Sequence, residues 1–189
     1  FAIAGSHASA VLEYDQSGGE VKRLHGAIAA RSGMQSALLA KEGLTGPLTI
    51  FEGRRGIFSA FAGGNVDPTQ VLPNIGNPYC ITRCRFRIYP TIGSCHAVLD
   101  IINDMLAAQP FDYRDVQSIK VGLWEFSVMH ATTIKRPHDV ISAQACLGYS
   151  IGLRLVKGGN DLDMYMDPDL WRNPEILAVA DKLEAYVLN

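Results

Sequence analysis

The sequence lacks an excess of positive charge: 17 Lys and Arg stand against 19 Asp and Glu, a formal net charge of −2. Nucleic-acid binders usually show the opposite balance, because their phosphate contacts are made by Lys and Arg, and that class is set aside. A long apolar run is missing too. None approaches the roughly 18–20 residues that cross a bilayer, so no contact with a membrane is expected. A basic n-region with a small-residue cleavage site is also absent, which points to the cytoplasm. Charged residues make up only 19% of the chain against 48% hydrophobic, a mixture that excludes a disordered chain and can build a core. There is no C-x-x-C pair, H-E-x-x-H, P-loop, dinucleotide fingerprint or nucleophile elbow. Cys80, Cys84, Cys95 and Cys146 lie in apolar stretches without metal-ligand spacing and read as reduced, buried thiols.

What is present is a change of character along the chain. It opens FAIAGSHASA, without Met and as though inside a helix, and closes LEAYVLN without a capping glycine, so both ends read as cut. Residues 1 to about 14 are small and apolar, and DQSGGE reads as a loop. In VKRLHGAIAARSGMQSALLAKEGLTGP, Ala29, Gly33 and Ala37 recur every fourth residue, with Leu24, Ile28, Met34 and Leu38 beside them. That spacing predicts a helix in a helix–helix core, stopped at Gly43 and Thr45-Gly46-Pro47. A short helix is expected at about 56–62, followed by a Gly/Pro/Asn-rich linker.

From Tyr79 the pattern alters. Cys84, Phe86 and Ile88 alternate with Arg83, Arg85 and Arg87, which predicts a strand with one basic face. After Tyr89-Pro90 a turn leads into a helix bearing Val98, Leu99, Ile102 and Leu106. A second strand is expected at about 116–128, a helix at about 142–157 closed by Gly158-Gly159, and a last helix at about 173–187 with Asn173 and Pro174 at its start. The fold class is α+β: helical segments of an all-α domain plus a small α/β domain ordered strand–helix–strand–helix. The expected divisions are 1–64 for the helical domain, 65–78 for the linker, 79–160 for the α/β domain and 161–189 for a returning helix.

Two places could do chemistry. Three arginines precede a helix whose first turn holds Gly93, Ser94, Cys95 and His96. Helix N-termini carry free N–H groups and partial positive charge, and arginine clamps carboxylates, so this describes an anion site. Lys22 and His25, three residues apart at the head of the small-residue helix, form the second. His7, His130 and His138 show no recognisable spacing and read as structural or exposed. Tyr149 reads as a core aromatic whose hydroxyl needs a partner. Cys95 at a helix N-terminus is also a candidate nucleophile, since the dipole lowers a thiol pKa.

These motifs together resemble the MmgE/PrpD family, whose members include 2-methylcitrate dehydratase, cis-aconitate decarboxylase and iminodisuccinate epimerase. The resemblance runs from VKRLHGAIAARSGMQSALLAKEGLTGP and FEGRRGIFSAFAGG through FRIYPTIGSCH and AQACLGYSIGLRLVKGG to NPEILAVADKL. It implies a cofactor-independent lyase acting on a small di- or tricarboxylate, with no metal. By position it implies substrate binding by Lys22, Arg87 and His96, to which the helix start adds Ser94, and a catalytic set of His25, His96 and Tyr149. It implies a lid role for the α/β domain. It also implies a homodimer, with a partner chain able to supply a helical half that this stretch lacks. Arg87 stands where the family usually has Lys, and Ile92 where animal-type decarboxylases carry His, which favours the dehydratase over the decarboxylase or epimerase. A non-catalytic subunit retaining the carboxylate-binding lid is the reading of another class.

Overall fold

The structure, a computed structural model, describes residues 1–8, 10–64, 66–71 and 76–188, and of Pro68, Val71 and Cys80 the backbone only. Residues 65 and 72–75 of the expected linker, and the thiol of Cys80, lie outside the described set. In chain order the elements are α1 (Ala2–Gly5), α2 (Tyr14–Ser17), α3 (His25–Lys41), α4 (Ile57–Ala62), α5 (Pro68–Val71), α6 (Gly93–Ala108) and β1 (Ile119–Leu123). There follow α7 (Glu125–Thr132), α8 (Val140–Gln144), α9 (Leu147–Lys157), α10 (Leu162–Met166), α11 (Pro168–Trp171), α12 (Pro174–Ala180) and β2 (Leu183–Val187). The class is α+β, as expected. Two compact units are formed: unit 1 from Phe1–Ala10 and Arg23–Phe86, and unit 2 from Val11–Lys22 and Arg87–Asn189.

Unit 1 is built on α3. Its alanines favour helix, and the chain turns off at Gly43, whose φ of +93° suits a residue without a side chain. α1 packs against α3, and the His7 ring lies 3.1 Å from Ser36 Oγ, the one buried residue of that helix. The small-residue stripe is not closed over. A Cβ on Gly33 would meet nothing within 4 Å, and Met34 and Leu38 are 66% and 58% exposed. The strand expected at 83–88 is absent. Cys80–Arg83 form a 3-10 turn instead, and Phe86 and Ile88 are exposed. A strand needs a ladder partner, and alternation in sequence does not supply one.

Unit 2 has a packed core. Leu147, Tyr149, Ile151 and Leu153 on α9 are fully buried, with Cys95 and Leu99 from α6 and Ile176 and Val179 from α12 also at or near zero exposure. Each large apolar side chain buried in this way contributes about 1.5–3 kcal/mol. α9 and α12 approach closely at Gly152, where an added Cβ would stand 2.5 Å from the Ile176 carbonyl oxygen. The α9 C-cap is Gly158 at φ +80°, and α12 opens with Asn173 accepting the Glu175 and Ile176 N–H groups and Pro174 following, all as the sequence predicts.

Three expectations are corrected here. The helix expected at 142–157 is two helices, broken where Cys146 Sγ accepts the Tyr149 N–H at the start of α9. DQSGGE is partly helical, since α2 covers Asp15 to Ser17. The helix expected at 173–187 ends at Ala180, and Leu183–Val187 become β2, parallel to β1 with Ile119 opposite Leu183 and Leu123 opposite Val187. A parallel pair needs a long crossover, which α7 to α12 provide. The order in this part of the chain is therefore helix, strand, six helices, strand.

Candidate functional site

The segment Val11–Lys22 lies in unit 2, where α2 packs on α7 and α8. Asp139 holds it. One carboxylate oxygen accepts the Gly19 N–H at 2.6 Å, and the other accepts the Ser142 N–H at 2.6 Å. The Ser142 hydroxyl accepts the Asp139 N–H at 2.9 Å, so Asp139 and Ser142 form a capping box on α8. Burial works against the Asp139 carboxylate, but the bonds from Ser142 and Gly19 outweigh it and its pKa is lowered. His138 adds a second tether, with Nε2 3.1 Å from the Ser17 carbonyl oxygen.

This docking brings Lys22 to a pocket of about 470 Å³ whose wall includes Arg87, Tyr89, Thr91, Gln144 and Asn160. Lys22 is half-buried, with Nζ 5.2 Å from the centre of the Tyr14 ring. Burial first, and then the Arg87 charge, lower its pKa, with Asp15 acting in the opposite sense. Arg87 donates from Nη1 to the Thr91 carbonyl at 2.6 Å, which bends the chain into α6 and fixes the guanidinium. Thr91 is buried and donates its hydroxyl to the Gln144 carbonyl at 2.5 Å, tying the turn to α8.

Beneath lies a buried polar network. Asn160 donates to the Ser150 carbonyl at 2.9 Å and to the Tyr165 hydroxyl at 3.0 Å, and Tyr165 donates to Ser150 Oγ at 3.0 Å. Burial pushes the Tyr165 phenol up to about 12. Among the described residues, two enclosed side-chain polar atoms have no hydrogen-bond partner, His96 Nε2 and Asn160 Oδ1.

Of the expected site residues, Lys22 and Arg87 share this pocket, and Ser94 is in the first turn of the helix that follows its wall. His96 is in the same unit, set edge-on to Tyr89 with ring centres 5.3 Å apart. Tyr149 is fully buried and donates its hydroxyl to the Met164 carbonyl at 3.0 Å, and burial raises its pKa. His25 opens α3 in unit 1. The nucleophile reading of Cys95 fails: the thiol is fully buried, and desolvation pushes it up to about 12. Cys146 is buried as expected, but Cys84 is exposed.

Two residues escaped the sequence reading. Asp15 is buried within α2, and His130, read as structural or exposed, lies on α7 with Nε2 3.8 Å from Asp15 Oδ2. Neither has a local signature, because their contact depends on the docking of a distant segment. Among the described residues no group of three or more His, Cys, Asp or Glu is gathered to hold a metal ion, and no helix is long and apolar enough to cross a membrane.

The MmgE/PrpD N-terminal domain matches residues 1–69, and the MmgE/PrpD C-terminal domain matches residues 89–187. The chain belongs to the MmgE/PrpD family. No curated protein matches it. The family includes dehydratases and other lyases, which supports an enzyme in the broad sense. In this MmgE/PrpD chain, residues 11–22 fall within the N-terminal match yet lie in the unit formed mainly by the C-terminal one.

Proposed function

We propose that the Lys22–Arg87 pocket holds a small di- or tricarboxylate and that the protein is a cofactor-independent lyase dehydrating a citrate-like substrate, as a 2-methylcitrate dehydratase does. The observation that carries this reading is two cationic side chains on one open pocket, which Asp161 also lines, close enough that Arg87 helps depress the Lys22 pKa. Lys22 is half-buried and Arg87 exposed, and a ligand with several carboxylates offsets the repulsion between the two cations. Arg87 offers a planar fork and Lys22 a point charge, which suits two carboxylates held in different ways.

Dehydration of such a substrate removes a proton alpha to a carboxylate and expels a hydroxyl group on the neighbouring carbon. The cations stabilise the charge that develops on the carboxylate as the proton leaves. The family resemblance supports roles for His25, His96 and Tyr149 in proton transfer or orientation. With its hydroxyl bonded to Met164, Tyr149 acts by orientation. The same resemblance supports a homodimer, with a partner chain able to contribute helical residues, and the reading of the cysteines as reduced thiols supports a cytoplasmic one.

The test is turnover of 2-methylcitrate and of citrate, followed by ultraviolet absorbance of the conjugated alkene acid. Expected is product formation that falls at least tenfold in Lys22→Ala and in Arg87→Ala, since a bond to a charged group contributes about 1.5–3 kcal/mol. Absence of turnover with every polycarboxylate tried would remove the reading.

A further inference from the structure

Three polar side chains from separate segments of unit 2 meet where the Lys22 and Arg87 charges are felt. Ser94, in the first turn of α6, places its hydroxyl 3.2 Å from Nδ1 of His130 on α7. The other ring nitrogen, Nε2, faces Oδ2 of the buried Asp15 at 3.8 Å. Asp15 Oδ1 accepts from the Gln16 side-chain amide at 2.8 Å, which leaves Oδ2 as the oxygen turned to the ring. Phe126 lies against the imidazole, with centroids 5.0 Å apart, and limits its rotation.

The chemistry of the partners gives this chain a direction. At 3.8 Å Nε2 and Oδ2 are outside hydrogen-bond distance, but a carboxylate accepts and cannot donate, so its charge beside Nε2 favours a proton on that nitrogen over one on Nδ1. In that tautomer Nδ1 is a bare acceptor and the Ser94 O–H donates to it. That commitment matters, because a hydroxyl whose hydrogen goes to histidine cannot also donate it to a carboxylate. Ser94 follows the wall residues Thr91 and Ile92 along the chain, and its oxygen is left able to accept a proton.

The charged groups that bear on His130 are Asp15, Lys22 and Arg87. Burial lowers the imidazole pKa and both cations add to the effect, with Asp15 opposing them, so the ring is neutral near neutral pH and able to take up a proton.

We propose that Ser94, His130 and Asp15 form a proton relay for the Lys22–Arg87 pocket, with Ser94 Oγ meeting the ligand and His130 and Asp15 as positioning residues behind it. The proposal rests on the polycarboxylate reading and moves the Ser94 hydroxyl from carboxylate binding to proton transfer. In the forward step the C–H bond alpha to a carboxylate breaks and its proton passes to Ser94 Oγ, while the Ser94 proton passes to His130 Nδ1. The C–H electron pair becomes the new C=C bond as the neighbouring C–O bond breaks. The proton held on the imidazolium beside Asp15 returns through Ser94 to the departing hydroxide, which leaves as water.

Two measurements test the relay. The first needs no ligand: nitrogen-15 NMR of the histidine-labelled chain near neutral pH, with the His130 signal identified by its loss in His130→Gln. Expected is the tautomer protonated at Nε2, and a proton on Nδ1 instead would overturn the relay. The second compares Ser94→Ala with the unaltered chain, using citrate as the binding probe and 2-methylcitrate turnover as the activity. Expected is citrate affinity within about twofold of the unaltered chain, with kcat reduced about 10²-fold or more. A tenfold loss of citrate affinity, or an unchanged kcat, would overturn it. Asp15→Asn should shift the acid limb of the kcat–pH profile with KM little changed, which a purely structural role would not do. If the unaltered chain turns over no polycarboxylate, the functional reading falls and the relay falls with it as a catalytic device. The tautomer then decides only the geometry.

Discussion

The two units are apolar in similar proportion and use that content very differently. In unit 1, Ser36 and Gly56 are the buried residues among those described, and the long helix α3 leaves Met34 and Leu38 in solvent. In unit 2, α9 buries Leu147 through Leu153 without a break and takes α6 and α12 against it. α3 therefore rests mainly on its intrinsic propensity and α9 on tertiary packing. The lesson concerns function. The pocket with Lys22 and Arg87, and the Asp15–His130–Ser94 contacts, all belong to the unit with a core, where second-layer hydrogen bonds can hold a side chain in place. Even Asp15 and Lys22, from the first tenth or so of the chain, reach that unit by way of the Asp139 tether.

The contrast is broken or sharpened first by truncating one leucine in each unit. Leu153→Ala should cost about 2–5 kcal/mol, because it opens a cavity in a closed core. Leu38→Ala in α3 should stay within about 0.5 kcal/mol. Urea unfolding followed by circular dichroism reads both, and similar losses from the two variants would break the contrast. A smaller effect is expected from Asp139→Ala, which removes the α8 cap and the Gly19 bond together. About 1–2 kcal/mol should be lost. Hydrogen exchange should quicken at residues 16–19 and remain unchanged in α3. Unchanged exchange at 16–19 would mean that the segment is held by something other than Asp139.

How much of this was legible in the sequence follows from how local each signal is. The Asn173-Pro174 start, the Gly158 cap and the body of α6 were readable, because capping and amphipathic spacing act within one or two turns. β2 was not. The apolar content of Leu183 to Val187 reads as the end of a helix, and only pairing with β1 makes them a strand. Arg83 to Ile88 show the converse, a period-two pattern with no ladder to join. Lys22 and Arg87 stood out by charge and motif, whereas Asp15 lay hidden in a stretch that reads as a loop and His130 in a helix with no companion at useful spacing.

The smallest expected effect is on pH. The folded-state pKa of His130 lies below its ordinary value near 6.5, so the unfolded chain binds more protons in the window just below 6.5. Stability of unit 2 is therefore full above that pH and falls as pH drops from there toward the folded value, and His130→Gln should flatten this slope. Melting temperature against pH, compared between the two proteins, checks it. A slope of opposite sign would show that the Asp15 charge outweighs burial.

The central claim is that unit 2 holds a polycarboxylate through Lys22 and Arg87, and calorimetric titration with citrate tests it most directly. The account predicts binding by the unaltered chain that weakens about 10- to 100-fold in Lys22→Ala and likewise in Arg87→Ala, as loss of a charged contact requires. Citrate affinity unchanged in both variants would contradict it.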